Sequence, residues 1–201
     1  MKKFTKTIAF AFMAMLAFSL TSCEDNEIAR TLEGTWEGNM YAVSRYGGRD
    51  YFASYSQVCF LRDPGAFSSG DGYWVDYYDG NYWGGYNYIA NHISWTVDFG
   101  TITIRFREDG YRVRIYNYSL NDAYFSGELE MSDGSRQRFS MRKVASPNWG
   151  GYHWGYSNYY YYSNGTTFDP NESDTNAVET KTGVTKTTET EIPQRIFKVK
   201  E

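Results

Sequence analysis

The run from Ile93 to Val144 constrains this chain most. Ile93, Trp95, Val97 and Phe99 alternate with Ser94, Thr96 and Asp98, and Gly100 breaks the run. Ile102, Ile104 and Phe106 then alternate with Thr103, Arg105 and Arg107. A period of two is the signature of a strand with one buried and one wet face. Asp109-Gly110 is a strong hairpin signal, and Tyr111, Val113 and Ile115 follow it. A Leu120-Asn121-Asp122 turn leads to Phe125, Gly127, Leu129 and Met131, and Ser132-Asp133-Gly134-Ser135 leads to Phe139 and Met141. A two-residue loop at Asp109-Gly110 predicts Phe106 opposite Val113 and Ile104 opposite Ile115, which keeps the apolar faces together. It also sets Arg107 against Arg112 and Arg105 against Arg114, an unfavourable arrangement. Three-residue loops at 120–122 and 133–135 relieve it, with Glu130 facing Arg112, Glu128 facing Arg114, and Arg138 on the other side of Glu130. This charge ladder reads as a solvated sheet face, with an anion-binding patch as its alternative.

Three earlier segments have the same character: Gly34 to Ser44, Tyr51 to Leu61, and Gly72 to Asp79. With the five segments between Ile93 and Val144 they make eight strands joined mostly by short turns. No amphipathic helix of ten or more residues is evident. The expected class is all-β, an eight-stranded antiparallel up-and-down barrel over 34–144, because closure removes exposed edges.

Gly34-Thr35-Trp36 at the start of the first strand resembles the G-x-W opening of the lipocalin superfamily. The Thr101-Ile102-Thr103-Ile104 strand, the Asp-Gly hairpin, Phe125-Ser126-Gly127-Glu128-Leu129 and Phe139-Ser140-Met141-Arg142-Lys143 resemble lipocalin-like domains of bacterial lipoproteins. The resemblance spans roughly Leu32 to Val144 and implies a ligand-binding barrel. The helix that usually closes such a barrel is not legible. A Tyr/Trp/Gly-rich segment, 145–162, stands where it would be.

Residues 1–22 read as a secretory signal. Lys2, Lys3 and Lys6 precede an apolar run from Ile8 to Leu20, shorter than the ~20 residues a spanning helix needs. Leu20-Thr21-Ser22-Cys23 resembles the lipobox of bacterial lipoproteins, which implies cleavage before Cys23 and lipid attachment at that residue. Glu24-Asp25-Asn26-Glu27 looks like the acidic tether some Bacteroidota-type lipoproteins use to reach the cell surface, with a solvated linker as the alternative. Residues 23–33 are accordingly expected to be a tether. From Ser163 the chain is mostly Thr, Glu, Asn and Lys, so 163–201 is expected to be a disordered tail. Within it, Ile196-Phe197-Lys198-Val199 has the composition of a short docking strand.

Removing residues 1–22 takes three lysines from the 20 basic residues and leaves the 24 acidic ones, a net charge of −7. That disfavours nucleic acid as a partner. With Cys23 lipidated, Cys59 stands alone, and its place inside a strand predicts a buried, inert thiol. His92 and His153 lie in no ligand-spaced cluster, so neither a metal nor a cofactor is expected. There is no G-x-S-x-G. Asp71, Asp76 and Asp79 are the one carboxylate group near aromatic residues, but the three-residue spacing of Asp76 and Asp79 sends them to opposite faces of a strand. No catalytic residue is expected.

Binding is the remaining reading. The motif Trp-Gly-Gly-Tyr occurs twice, at 83–86 and 149–152. Flat aromatic rings on glycine-rich loops stack on sugars or apolar ligands, and Trp83, Tyr86, Trp149, Tyr152 and Trp154 are the candidates. The bland alternative is that these rings pack across the barrel. The chain is expected to be a non-catalytic, lipid-anchored lipoprotein of a bacterial outer membrane, exposed at the surface if the tether reading holds. It would bind a small apolar or glycan ligand. Its alternative is a structural lipoprotein that docks on another outer-membrane protein through the aromatic loops.

Overall fold

The computed structural model describes residues 24–80, 86–155 and 193–199. Ten strands follow a short helix, α1, over 24–32. They are β1 (Gly34–Gly38), β2 (Ala42–Tyr46), β3 (Arg49–Arg62), β4 (Ser69–Tyr78), β5 (Tyr88–Asp98), β6 (Thr101–Phe106), β7 (Arg112–Leu120), β8 (Tyr124–Glu130), β9 (Arg136–Val144) and β10 (Gln194–Phe197). Eight of them, β1 and β3 to β9, form an antiparallel ring in up-and-down order, closed because β1 pairs with both β9 and β3.

The expected first strand, Gly34 to Ser44, is broken in two. Tyr41 has a positive φ of 56°, and its N–H bonds the Asn39 side chain. The break lets β1 pair with the second half of β3 while β2 pairs with the first half. Gly34 enters β1 at φ 121°, a conformation open to glycine, so the first residue of the G-x-W motif turns the chain out of α1.

Eight strands give an interior that side chains just fill. A void large enough for water would leave accessible surface on its lining. Trp36, Trp74, Ile93, Ile104, Phe106 and Phe125 expose none. The rings interlock edge to face, Trp36 on Phe125 at 5.7 Å and Trp74 on Phe106 at 5.2 Å. Each fully buried large side chain contributes about 1.5–3 kcal/mol of transfer free energy.

The predicted faces hold, but the registers do not. Ile104 faces Val113 rather than Ile115, and Arg105 faces Arg112. The turn spans 107–110, closed by Phe106 N–H to the Tyr111 carbonyl, and Asp109 bonds the Tyr111 N–H. The two-residue shift preserves parity, so the apolar set stays inside. Arg107 leaves the pair altogether: its N–H bonds the His92 carbonyl, and its guanidinium meets Asp71. At the next hairpin Asn117, at φ 46°, shifts the pairing of β7 and β8. The charge ladder therefore runs Arg114 to Glu130, with Glu130 opposite Arg136 and Glu128 opposite Arg138.

Residues 24–33 are not a tether along their length. Acidic side chains in a first turn face the positive end of the helix dipole, so the same composition suits a helix N-terminus. Ala29 and Leu32, three apart, are buried against the barrel end, and the Leu32 carbonyl accepts the indole N–H of Trp36 at 2.7 Å. The Asp25 carboxylate accepts the N–H groups of Phe99 and Gly100 in the β5–β6 turn. The closing helix that was not legible is α1, in front of the strands rather than behind them.

The tail expectation is also corrected at its end. β10 pairs with β2, and Phe197 is buried in the core. Residues 163–192 of the expected tail lie outside the described residues, as do Cys23 and the signal segment 1–22.

Candidate ligand face

Strands β4 and β5 carry large side chains on both faces. On β4, Trp74 and Asp76 point into the barrel and Tyr73 and Tyr77 point out; on β5, Ile93 is inside and His92 outside. An aromatic outer face of this kind calls for cover, and the chain after β9 supplies it. Asn148 caps a single 3₁₀ turn, Trp149–Gly151, by accepting the Gly150 N–H. Residues three apart on such a turn lie on one side, so Trp149 and Tyr152 both reach the barrel. Trp154 then bridges to Ala90 of β5, and the Gly155 N–H bonds the Ala90 carbonyl at 2.6 Å.

The rings converge on Tyr73. Trp149 stacks on it at 5.0 Å, and Trp154 lies 4.9 Å away on a tilted plane. Tyr152 contacts both tryptophans, at 5.5 and 5.9 Å. His92 lies 4.4 Å from Trp154. Tyr86 lies 4.4 Å from His153 and 5.4 Å from Tyr88. Tyr73, Tyr86, Trp149, Tyr152 and Trp154 are all half-buried, so each is packed on one side and open on another.

A polar chain fixes the far edge. Tyr152 and Tyr77 share a hydroxyl hydrogen bond at 2.6 Å, and Tyr77 donates to the Gln57 side chain. Gln57 donates in turn to Glu37, which Arg142 also holds. Burial and the Tyr152 hydroxyl push the Tyr77 phenol far above its ordinary range. The hydrogen bond from Arg142 and then that from Gln57 hold the Glu37 carboxyl low. Both groups are therefore fixed in one protonation state at neutral pH and act as positioning groups.

At the near edge the His92 imidazole lies 2.8 Å from Glu108, which also accepts the His92 N–H and the Asn91 side-chain amide. Burial raises the Glu108 carboxyl, but the bonds from the His92 ring and backbone outweigh it and keep it below the usual 4.5. A carboxylate held low in the folded state contributes stability above its unfolded value, and that contribution is lost as pH falls through the folded value. We expect the packing of Trp154 on His92 to loosen as pH falls below about 4.5. The difference in tryptophan emission between wild type and Trp154→Phe will report it. In Glu108→Gln that transition should vanish; a transition that persists would assign it to another group.

Of the five sequence candidates, Tyr86, Trp149, Tyr152 and Trp154 come together on this face, and Trp83 lies outside the described residues. Sequence reasoning missed Tyr73, Tyr77, Tyr88 and His92. The signal was present: aromatic residues at both odd and even positions of β4 mark a strand covered on both sides. The three aspartates do not converge. Asp71 meets Arg107, Asp79 accepts from Ser54, and Asp76 is buried inside the barrel. Cys59 is a free, buried thiol, and burial raises its pKa.

Residues 32–126 match the family model described as Lipocalin-like domain. No curated protein matches the chain. The closed eight-stranded ring, the Gly34-Thr35-Trp36 entry and this match agree: the chain folds as a lipocalin-like barrel, a fold typical of non-catalytic ligand-binding modules, and its residues 32–126 are similar to that family.

Proposed function

We propose that the protein is a non-catalytic binding module, lipid-anchored through Cys23 to a bacterial outer membrane, that captures a glycan or small apolar ligand on its outer aromatic face. The observation that carries this reading is the convergence of half-buried rings on Tyr73, outside a barrel whose described core side chains are buried. Among the described residues, Trp36, Trp74 and Phe106 fill the barrel interior, whereas the face around Trp149 and Trp154 offers ring area beside hydroxyl, amide and imidazole groups. Carbohydrates match that mixture, with apolar C–H faces for the rings and hydroxyls for the polar edge.

The anchoring reading rests on the lipobox resemblance, and the place of α1 gives it a geometry. Glu24 follows Cys23 directly, and Asp25 is bonded to the β5–β6 turn. Acyl chains on Cys23 would hold that end of the barrel close to the bilayer, with the aromatic face along its side. The measurement is membrane fractionation: Cys23→Ala should release the protein from membranes, and persistent association would sink the anchor.

Binding is tested by titrating tryptophan emission with glycans and then with apolar ligands. Saturable quenching is expected, weakened about tenfold, or about 1.4 kcal/mol, by Trp149→Ala or Trp154→Ala. No response to either set would overturn small-ligand capture and move the face to docking on another outer-membrane protein.

A further inference from the structure

The end of the barrel opposite α1 is closed by β10. There Asp76 is fully buried, and its carboxylate takes three hydrogen-bond donors. Ser56 Oγ and Trp74 Nε1 each donate to Oδ1 at 2.6 Å. Arg195 of β10 donates to Oδ2 through Nε at 2.9 Å, and its Nη2 lies 2.7 Å from the same oxygen as an ion pair. Ser56 and Trp74 are neutral, so Arg195 is the cation that balances Asp76, and its guanidinium also lies 4.1 Å over the Phe106 ring. Two residues on, Phe197 fills the space between Trp74 and Tyr111.

The backbone of this insert is held at both sides. β10 adds antiparallel to β2, with Arg195 opposite Ser44 and Phe197 opposite Ala42. On the other side the Phe197 N–H bonds Ser132 Oγ, and the Phe197 carbonyl accepts the Ser132 N–H. The Lys198 N–H bonds the Tyr41 carbonyl, and its ammonium meets Asp50. A strand edge, a carboxylate pocket, an aromatic slot two residues further and an acidic rim are what strand addition to a specific peptide uses. The alternation matters, because residues two apart on a strand point the same way.

We propose that this end of the barrel is a peptide-binding site for an extended segment with arginine two residues before an aromatic residue, and that β10 is the occupant the chain supplies in cis. The residues of the receptor half all lie outside β10: Asp76, Ser56, Trp74, Phe106, Tyr111 and Ser132 on the barrel strands and turns, and the edge of β2 beside them. β10 joins it from beyond residues 156–192, so the ligand segment is separated from its site in sequence. The site is distinct from the outer aromatic face and does not depend on that reading.

The test keeps the full chain. A protease site is introduced between residues 163 and 190, and the folded protein is cleaved there, leaving β10 held by its contacts alone. A fluorescent peptide of residues 193–199 is then added and followed by anisotropy. We expect saturable uptake, competed by unlabelled peptide and weakened at least tenfold by Arg195→Ala in the peptide. Arg195→Lys should also weaken it, because an ammonium lacks the planar guanidinium that donates through Nε and lies over the Phe106 ring. Asp76→Asn in the barrel should weaken uptake of the wild-type peptide. No uptake by a cleaved barrel with native near-ultraviolet dichroism would overturn the proposal. So would loss of that dichroism on cleavage, which would make β10 an obligate part of the fold, and so would uptake indifferent to Arg195→Ala.

Discussion

Arg195→Ala will destabilise the full chain by about 3–5 kcal/mol, because it strands a carboxylate in the barrel. Asp76 exposes nothing to water, and among the described residues the substitution leaves it Ser56 and Trp74 as donors. The size of the effect comes from the residue left behind rather than from the strength of the pair. Desolvating two charges consumes most of their mutual attraction, whereas a lone buried charge has nothing to offset its lost hydration. Asp76→Asn strands the buried Arg195 guanidinium in turn and should cost a comparable amount, although the amide oxygen still accepts from Ser56 and Trp74. The double substitution should recover a substantial part of the Arg195→Ala loss. Urea unfolding of the four proteins measures this. Simple additivity of the two single effects would show that the side chains are not coupled and would sink the argument.

Trp36→Ala is the second large effect, at about 3–5 kcal/mol for a fully buried tryptophan. Trp36 is the third residue of the G-x-W motif, and two separate losses follow its removal. One is packing: its ring meets Phe125 edge to face and lies under the Lys143 ammonium at 5.0 Å. The other is the bond from its indole N–H to the Leu32 carbonyl, one of the last carbonyls of α1. A helix end has carbonyls with no partner inside the helix, so this bond is where α1 is tied to β1. Trp36→Phe keeps most of the packing and removes the bond, and should cost about 1–3 kcal/mol. Hydrogen exchange separates the parts. Trp36→Phe should raise exchange in 24–32 more than in the strands, and equal exchange throughout would refute the tie.

Much of the barrel was legible because its signal is local. Ile93, Trp95 and Val97 alternate whatever they pack against, and period two alone decides that they share a face. The same parity made the register error harmless to the core: Ile104 faces Val113 instead of Ile115, and both are inward. The register itself depends on where hydrogen bonds close the turn, as when Phe106 bonds Tyr111 and Arg107 is drawn across to the His92 carbonyl. No count of apolar residues contains that choice. α1 was missed for a different reason. Its nine residues are too few for a periodic signal, and acidic residues look alike in a tether and in a first helical turn. What distinguishes them is the partner, the free N–H groups of Phe99 and Gly100, which lie 74 and 75 residues away from Asp25 in sequence.

The candidate face divides in the same way. The repeated Trp-Gly-Gly-Tyr pointed to Tyr86, Trp149 and Tyr152, with Trp154 two residues beyond it, because bulky rings on glycine-rich segments are visible in any window. Their shared platform around Tyr73 was not, since it is assembled by laying the segment after β9 across β4 and β5. The amino-acid sequence by itself determined the strands, their inward faces, the barrel class and the isolation of Cys59, all properties of short stretches under the steric rules of the backbone. Tertiary structure alone decided the registers, the two end closures by α1 and β10, and the pairing of Asp76 with Arg195 across 119 residues. Those depend on which distant groups are left without partners once the barrel has closed, and such groups bond one another because water is no longer there to do it.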